Sequence, residues 1–426
     1  MRRLLTQFIF CGFCGLCGWG SPSAVANEAG DTEWPKFRGP AGDGVVPAIS
    51  ELPPLKWSTS ERVTWRNELP GSGWSSPVVV GDEVLITGAE KVPGGPAEAR
   101  SLVLYRLDRT TGELRETIKV FDQSAEDSPG IHSKNSHASP TPWVSGEQIF
   151  VHFGYQGTAA LNRGGKLQWV NRDLRFPPVH GNGGSPVLVG DRLIFTCDGA
   201  DAAYVVALSA ASGEVLWKQD RPVDASRKFS FCTPSEINVD GQTQVICPGS
   251  DCVLALNPED GSIIWQIRYD GYSVVPKPVY ADGLVFIATG FGPTQVMAID
   301  PRGRGDVTDT HVRWTLDRGA PKTPSLLADK GLLYVVSDDG ILTVLETVSG
   351  DQVYKQRLGG KYSASPVLVG ERIYLPSEEG VVRVLQAGRE FNELAANDMD
   401  ERILASPAVV QGELYLRTDK AVYRVE

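Results

Sequence analysis

Long apolar segments, helical periodicity and the usual cysteine motifs are scarce in this sequence. Beyond residue 26 no run approaches the roughly 20 apolar residues of a membrane-spanning helix, so we expect no transmembrane segment in the mature chain. No long segment has an apolar stripe at 3.6-residue spacing, which argues against a helical protein. No G-x-S-x-G elbow occurs, and the four cysteines after residue 26 form neither a CxxC nor a CxxCH motif. These absences exclude a serine-hydrolase elbow, a zinc ribbon and an attached c-type haem.

Positive charge is also in short supply. The 426 residues include 41 lysines and arginines against 52 aspartates and glutamates, and the formal net charge is −11. An acidic surface disfavours nonspecific binding of nucleic acids or anionic membranes, because both require a cationic face. We therefore expect no nucleic-acid partner. The 46 glycines and 29 prolines indicate a chain with many turns.

The first 26 residues differ from the rest of the chain. Arg2 and Arg3 precede an apolar stretch interrupted by glycines, and Ala24-Val25-Ala26 has the small-x-small form of a cleavage site. This order of features predicts a secretory signal peptide over residues 1–26. The mature protein is therefore expected to be periplasmic or secreted.

Four cysteines follow the predicted signal peptide: Cys197, Cys232, Cys247 and Cys252. In an oxidising compartment they allow three pairings. Cys247 and Cys252 flank a four-residue segment that has the composition of a hairpin loop. Facing residues of two strands can reach the Cβ separation of a disulfide, so a bond between these two cysteines is the pairing that we expect.

A repeated pattern organises the rest of the chain: a residue followed by proline, an alternating apolar strand, a turn and a second strand. Successive prolines of the pattern are 41 to 63 residues apart, a period typical of propeller blades with four strands each. The pattern predicts an all-β, eight-bladed β-propeller of four-stranded antiparallel blades over residues 61–426. Residues 27–60 are expected to form an extension on its surface. The eight anchor pairs are Ser76-Pro77, Ser139-Pro140, Ser185-Pro186, Thr233-Pro234, Lys277-Pro278, Thr323-Pro324, Ser365-Pro366 and Ser406-Pro407.

An aromatic residue recurs in the fourth strand of the units. Trp169, Trp217, Trp265 and Trp314 are 48 or 49 residues apart, and Tyr354 follows. A large flat side chain at this regular spacing fits the wedge between stacked blades. We expect these aromatic residues to pack between blades rather than to bind a ligand.

The last unit is one strand short. It starts at Pro407 and reaches the final residue, Glu426, with room for three strands. Residues 62–67 can supply the fourth strand, because Trp65 within them occupies the position of the recurring aromatic residue. We predict that the ring closes by pairing this amino-terminal strand with the carboxyl-terminal blade, which protects the blade edges.

Two segments carry a resemblance to a known family. Residues 207–217 and 255–265 each start with Ala-Leu, reach a glycine at the seventh position and end on tryptophan. They resemble the tryptophan-docking repeat of the PQQ-like propellers, a family that includes quinoprotein dehydrogenases and the outer-membrane-assembly propeller BamB. Residues 34–40, Trp-Pro-Lys-Phe-Arg-Gly-Pro, resemble the start of many exported bacterial members. The resemblance implies the propeller fold and does not imply that a quinone is bound.

Ligand binding in a propeller is expected at the mouth of the central channel that is surrounded by the loops leading into the first strands. Seven of these eight loops hold a basic or titratable residue, so we predict a cationic mouth that binds an anion. The alternative is that these long side chains point into solvent. The predicted ligand-binding residues are Trp74, His132, Asn135, His137, His180, Asn182, Lys228, Lys277, Lys322 and Lys361.

Three of the histidines suggest a second possibility. His132, His137 and His180 precede the first strands of neighbouring blades, and imidazoles can bind a transition metal. The spacing is not that of a known metal motif. The alternative is that these histidines form hydrogen bonds with loop backbone.

Two functions are compatible with the sequence. The first is a noncatalytic binding or scaffold protein of the periplasm or cell envelope, with a protein or a small anionic ligand at the channel mouth. The second, suggested by the family resemblance, is a dehydrogenase of alcohols or sugars that depends on PQQ and calcium. The resemblance implies adjacent cysteines for such an enzyme, and this chain has none. The first function is therefore favoured.

Overall fold

The computed structural model describes residues 32–46, 51–128 and 130–426. The predicted signal peptide lies outside these residues. Within them, 34 strands form eight sheets, and a short 3-10 helix spans Gly154–Gln156. In the same ranges no helix has the length and apolar character needed to cross a membrane.

Each sheet is one blade, and its four main strands follow one another from the channel outward. Two blades have a fifth, added strand, which pairs with the innermost strand in blade 7 and with the outermost strand in blade 4. The strands are, in blade 1, β3 (Val78–Val80), β4 (Glu83–Lys91), β5 (Arg100–Asp108) and β6 (Leu114–Gln123); in blade 2, β7 (Trp143–Ser145), β8 (Gln148–His152), β9 (Thr158–Asn162) and β10 (Leu167–Asn171); in blade 3, β11 (Val187–Val189), β12 (Arg192–Asp198), β13 (Ala203–Ser209) and β14 (Val215–Asp220); in blade 4, β15 (Ser235–Val239), β16 (Gln242–Gly249), β17 (Cys252–Leu256), β18 (Ile263–Arg268) and the added β22 (Gly305–Asp306); in blade 5, β19 (Val279–Ala281), β20 (Leu284–Ala288), β21 (Val296–Ile299) and β23 (Val312–Leu316); in blade 6, β24 (Leu327–Asp329), β25 (Leu332–Val336), β26 (Ile341–Glu346) and β27 (Gln352–Arg357); in blade 7, β28 (Val367–Val369), β29 (Arg372–Pro376), β30 (Val381–Gln386), β31 (Glu393–Asp398) and the added β1 (Val45–Val46); and in blade 8, β32 (Ala408–Val410), β33 (Glu413–Arg417), β34 (Ala421–Val425) and β2 (Val63–Glu68).

The ring closes as the sequence predicts. Strand β2 pairs antiparallel with β34, and Trp65 lies opposite Arg424. The Trp65 indole is buried, and its Nε1 donates a hydrogen bond of 2.8 Å to the Arg109 carbonyl of blade 1. The two ends of the propeller are therefore held in one sheet, and the prediction of eight blades with this closure is confirmed.

Most of the recurring tryptophans pack between blades, and a glycine of the next blade makes the contact possible. Trp265 differs, because its Nε1 donates to Gln244 Oε1 within blade 4 at 2.8 Å. Trp169 donates from Nε1 to the Ala210 carbonyl of blade 3 at 2.8 Å, and Gly213 of the same turn lies flat against its ring. A Cβ atom at Gly213 would lie 2.4 Å from the Trp169 ring. The same arrangement joins Gly112 with Trp65, Gly261 with Trp217 and Gly350 with Trp314.

Replacing Gly213 by alanine is expected to destabilise the protein by about 2–5 kcal/mol. Gly213 has a φ of +74°, which costs an L-residue roughly 1–2 kcal/mol, and displacing the Trp169 ring adds about 1–3 kcal/mol of overpacking. Gly241→Ala is the matched control, because Gly241 has a φ of +85° and open space around it. Urea unfolding measures both variants; equal losses would contradict the packing role of Gly213.

A circle of hydrogen bonds joins all eight blades around the channel. In most blades a hydroxyl residue just before the first strand accepts a hydrogen bond from a backbone N–H of the preceding blade. For example, the Ser185 N–H donates to Thr233 Oγ1 at 2.9 Å. The circle places Thr141 and Ser325 at this position, two residues after the predicted anchors Ser139 and Thr323. The bonds run Ser76 to Thr141, Thr141 to Ser185, Ser185 to Thr233, Ser235 to Pro278, Lys277 to Ser325, Ser325 to Ser365, Ser365 to Ser406 and Arg417 to Ser75.

Part of the amino-terminal extension lies inside the channel, whereas the sequence predicts an extension on the surface. Residues 33–46, which we call the plug, enter the channel from the face of the first hairpin turns. Trp34 exchanges backbone hydrogen bonds with Val79 of blade 1, and β1 pairs parallel with β28 of blade 7. Trp34 and Arg38 are each 1 % exposed. The apolar inner edges of the blades leave a channel that the plug fills.

The predicted disulfide is not formed. The turn after β16 has two residues, Ser250 and Asp251, so that Gly249 faces Cys252 and Cys247 faces Leu254. Cys247 and Cys252 are therefore diagonal neighbours rather than a facing pair, and diagonal neighbours are too far apart for a disulfide. All four cysteines of the described chain are free and buried.

Candidate functional site

The plug converts the channel into a funnel that is open at one mouth. Its cavity has a volume of about 390 Å³. Phe37 of the plug lines the inner end of the cavity. The circle of hydrogen bonds surrounds this inner end. The residues that lead into the first strands line the wall: Ser76, Thr141, Ser185, Thr233, Val275, Ser325, Ser365 and Ser406.

One side of the funnel mouth is aromatic. Five rings, which we call the aromatic arc, contact one another in sequence, with centroids 5.4 to 6.1 Å apart and mostly edge-to-face. Aromatic rings prefer this geometry, because the positive edge of one ring meets the negative face of the next. The arc is His132, His180, Phe229, Tyr272 and Phe291.

The other side of the mouth is polar and internally paired. Glu378 accepts a hydrogen bond of 2.6 Å from Ser363 Oγ and an ion pair of 2.7 Å from Lys134 Nζ. Arg402 lies 3.6 Å from the second carboxylate oxygen. Although burial raises the pKa of Glu378, these partners leave it below its ordinary value. Glu378 is therefore ionised at neutral pH and neutralises the cations around it.

Four of the ten predicted site residues line the funnel, and the other six do not. One of the six, Lys322, lies over the ring of Phe291 at 5.1 Å. Trp74, His132, Asn135 and His180 contribute to its wall. Asn182 is buried behind the wall, where its Nδ2 donates to the Phe153 carbonyl at 3.0 Å. Lys228 and Lys361 form ion pairs of 3.5 Å with Asp224 and Asp339, and neither lines the cavity.

The three histidines do not converge. The rings of His132 and His180 contact each other with centroids 5.5 Å apart, whereas His137 lies outside the wall. Burial and the charge of Arg100 lower the pKa of His137 to about 4. In the described parts of the chain, no group of three or more histidine, cysteine, aspartate and glutamate residues is arranged to hold a metal ion.

Lys277 lies inside the channel rather than at the mouth. It replaces the hydroxyl residue of the circle in blade 5, and its Nζ donates to the Gly42 carbonyl of the plug at 2.5 Å. Burial, followed by the charges of Lys36 and Arg38, lowers its pKa to about 7. Lys277 therefore fastens the plug and does not line the cavity.

The lowered pKa of Lys277 should make the stability of the protein depend on pH. Its folded pKa lies below that of an unfolded lysine, so the unfolded chain binds more protons between about pH 7 and 10, and stability rises with pH in that window. Compared with Lys277→Met, the wild type should gain about 2 kcal/mol between pH 7 and 9. Denaturant titrations at pH 7, 8 and 9 measure the difference; a constant difference would show that the buried amine does not titrate there.

Sequence reasoning missed three rings of the aromatic arc, Phe229, Tyr272 and Phe291, and the acidic residues opposite them. A search for basic residues does not find Phe229, Tyr272 and Phe37. Phe229 and Tyr272 nevertheless lie, like His180, in the loops that lead into the first strands, which we call the entry loops. Asp338 and Glu378 follow second strands rather than precede first strands, yet those loops open at the same mouth. The predicted cationic mouth is therefore largely neutralised, because acidic residues of these loops pair with its cations.

Comparisons with known proteins agree with this fold. A family model described as outer membrane protein assembly factor BamB matches residues 43–220, 201–329 and 294–421. BamB of Alkalilimnicola ehrlichii is 29% identical over 184 residues, covering 41% of this chain and 46% of the relative. BamB of Shewanella oneidensis is 26% identical over 214 residues, covering 44% and 53%. The matched region spans about half the length of these relatives.

Solved structures show the same architecture. BamB from Moraxella catarrhalis superposes with a TM-score of 0.59 at 16% identity, covering 85% of this chain and 99% of that chain. Quinohemoprotein alcohol dehydrogenase from Comamonas testosteroni superposes with a TM-score of 0.67 at 12% identity, covering 94% and 81%. At these identities the likeness concerns the fold alone.

Proposed function

Because the chain belongs to the PQQ-like propeller family of the assembly factor BamB, we propose that it is a noncatalytic binding protein of the periplasm or cell envelope, with its ligand site at the funnel mouth. The names of the relatives support an envelope location, since they describe factors of outer membrane protein assembly. A rigid ring of short loops offers a wide binding face without any reactive group.

The observation that carries this proposal is the funnel itself. The chain closes its own channel with the plug, so that loops of all blades converge on one open cavity of about 390 Å³. The cavity is lined by aromatic rings and hydroxyls, and most of its hydroxyls already bond to a neighbouring blade. A concave, mostly apolar surface with a few polar groups is typical of binding sites.

The alternative is a dehydrogenase that uses PQQ and calcium, and the residues around the funnel fit it poorly. Calcium takes six to eight oxygen ligands, several of them carboxylates. Glu378 is bound to Lys134 and Ser363, and among the described residues no three or more histidines, cysteines, aspartates and glutamates are grouped so as to hold a metal ion. The residues present therefore do not form the calcium site that this chemistry requires.

Site-specific photo-crosslinking tests the binding function. A photoreactive phenylalanine analogue replaces Tyr272 in the aromatic arc or, as control, Tyr280, which is 36 % exposed near the first hairpin turn of blade 5. We expect a discrete adduct with an envelope protein at Tyr272 and none at Tyr280. Equal labelling at both positions would contradict the assignment of the mouth.

A second measurement addresses catalysis. Purified protein is incubated with PQQ and calcium, and reduction of an artificial electron acceptor is followed with alcohols and sugars. The binding function predicts no substrate-dependent reduction and no rise of the melting temperature, because a ligand that binds only the folded state stabilises it. Saturable reduction would favour the dehydrogenase.

A further inference from the structure

Resting on the proposed function, we infer that the funnel binds a partner polypeptide segment that carries aromatic side chains flanked by carboxylates. Two features of the mouth point to this class of ligand. The aromatic arc supplies apolar ring surface, and two cations beside it lack acidic partners. The ligand class follows from charge and shape complementarity to both features.

The two cations are Arg227 and Lys322. Arg227 lies over the Tyr272 ring at 4.2 Å, and Lys322 lies over the Phe291 ring at 5.1 Å. Neither forms an ion pair with a carboxylate within the ranges that the structure describes. A cation held on a ring face keeps its outer side open to an anion, since the ring contributes only about 0.5–1 kcal/mol at exposed sites.

The other cations of the mouth are already neutralised. Lys134 is paired with Glu378 at 2.7 Å and with Asp338 at 3.8 Å, and Arg402 lies 3.6 Å from Glu378, so two carboxylates balance these two cations. Lys228 and Lys361 have their own aspartates. Positive charge that can attract a ligand is therefore concentrated beside Tyr272 and Phe291. In a protein of net charge −11, an acidic ligand gains attraction only there.

The rings next to these cations accept an apolar group. Phe231 also lines the funnel, with its ring centroid 6.1 Å from that of Phe229 in the arc, and Phe37 of the plug lines the inner end. Aromatic side chains bury large areas and pack well against other rings. An aromatic residue of the ligand can thus enter the funnel while neighbouring carboxylates stay at the mouth.

A polypeptide fits this arrangement better than a small anion. The aromatic arc runs through the entry loops of blades 2, 3, 4 and 5 and ends in Phe291 of blade 5. Its free cations stand at one end of that path. An extended chain presents successive side chains along such a path, so one segment can contact the arc and the cations together.

Isothermal titration calorimetry with synthetic peptides tests the inference on the full mature chain. The probe is a twelve-residue peptide with two tryptophans and four aspartates. One control peptide replaces the tryptophans by serine, and another replaces the aspartates by lysine. We expect only the probe to bind measurably, and we expect its affinity to fall at least tenfold between 50 and 500 mM salt. Equal binding of the lysine peptide would overturn the inference.

Charge variants locate the site. The double variant R227Q/K322Q should weaken probe binding at least tenfold, whereas K228Q/K361Q, which removes the same charge from already paired residues, should change it less than twofold. Unfolding midpoints of both variants confirm folding. Equal losses in the two variants would overturn the placement. If N-acetyltryptophan binds as tightly as the probe, the ligand is a small aromatic carboxylate and the polypeptide is excluded.

These outcomes separate the inference from the proposed function. Adducts at Tyr272 together with absent peptide binding would leave the binding protein standing and remove the acidic aromatic segment as its ligand. Substrate-dependent reduction with PQQ would remove the proposed function, whatever the peptides show.

Discussion

Asp198→Ala is expected to destabilise the protein by about 3–5 kcal/mol, because it leaves a buried guanidinium without its counter-ion. Asp198 accepts two hydrogen bonds of 2.8 Å from Arg221, and their side chains are 0 % and 1 % exposed. Arg221 also donates to the carbonyls of Cys247 and Pro248 in blade 4. The pair thus joins blades 3 and 4. Equilibrium unfolding in urea measures the loss.

A nearby surface pair is the control. Asp191 forms an ion pair of 2.5 Å with Arg192 on the same blade, but its side chain is 77% exposed, so Asp191→Ala should cost less than about 1 kcal/mol. The double variant Asp198→Leu/Arg221→Met should recover part of the loss, since the two buried charges disappear together. If Asp198→Ala were as mild as Asp191→Ala, the ion pair would not be buried as described.

Arg38→Ala is expected to cost about 2–4 kcal/mol and to release the plug from blades 6 and 7. The Arg38 guanidinium donates to the carbonyls of Leu326 at 2.8 Å and Pro366 at 3.3 Å, and to that of Asp43 within the plug. Burial lowers its pKa to about 10, so it remains charged at pH 7. Each buried carbonyl left without a donor costs roughly 1–3 kcal/mol. Water that enters the space left by the side chain can bond to some of the three carbonyls, so the total loss stays below the sum of three full penalties.

Proteolysis measures this release directly. Cleavage within residues 33–46 should accelerate in Arg38→Ala while the blades stay resistant. Lys36→Met is the control: its ammonium lies 4.2 Å from the Trp143 ring centroid, a contact worth about 0.5–1 kcal/mol at exposed sites and about 2 when desolvated. Unchanged cleavage in Arg38→Ala would show that other plug contacts suffice, and that the arginine does not hold the floor of the funnel.

The fold was accessible from sequence because blades repeat. Trp169 and Trp217 stand at fixed spacing because each must contact a glycine of the next blade, and such a requirement leaves a periodic trace. In two blades the predicted anchor is two residues early, because a second hydroxyl residue follows it: Thr141 follows Ser139, and Ser325 follows Thr323. Only the hydrogen bonds of the circle distinguish these positions.

The site was accessible only in outline. Topology places the entry loops at one mouth, and His132 and His180 do meet there. The plug could not be foreseen, because residues 34–40 occur once and carry no period. Charge pairing across blades, such as Lys134 with Glu378, joins residues more than 240 positions apart, and no local pattern records it.

Contacts of the plug also set the order in which the molecule can be completed. Arg38 finds its acceptors at residues 326 and 366, and strand β2 finds its partner at residues 421–425. Long-range pairings of this kind form late, because the intervening chain must first be brought together. A polypeptide synthesised from its amino end therefore keeps its first segments without their final neighbours until the last blade emerges. Closure of the ring and seating of the plug are therefore one late event, which follows synthesis of the whole chain.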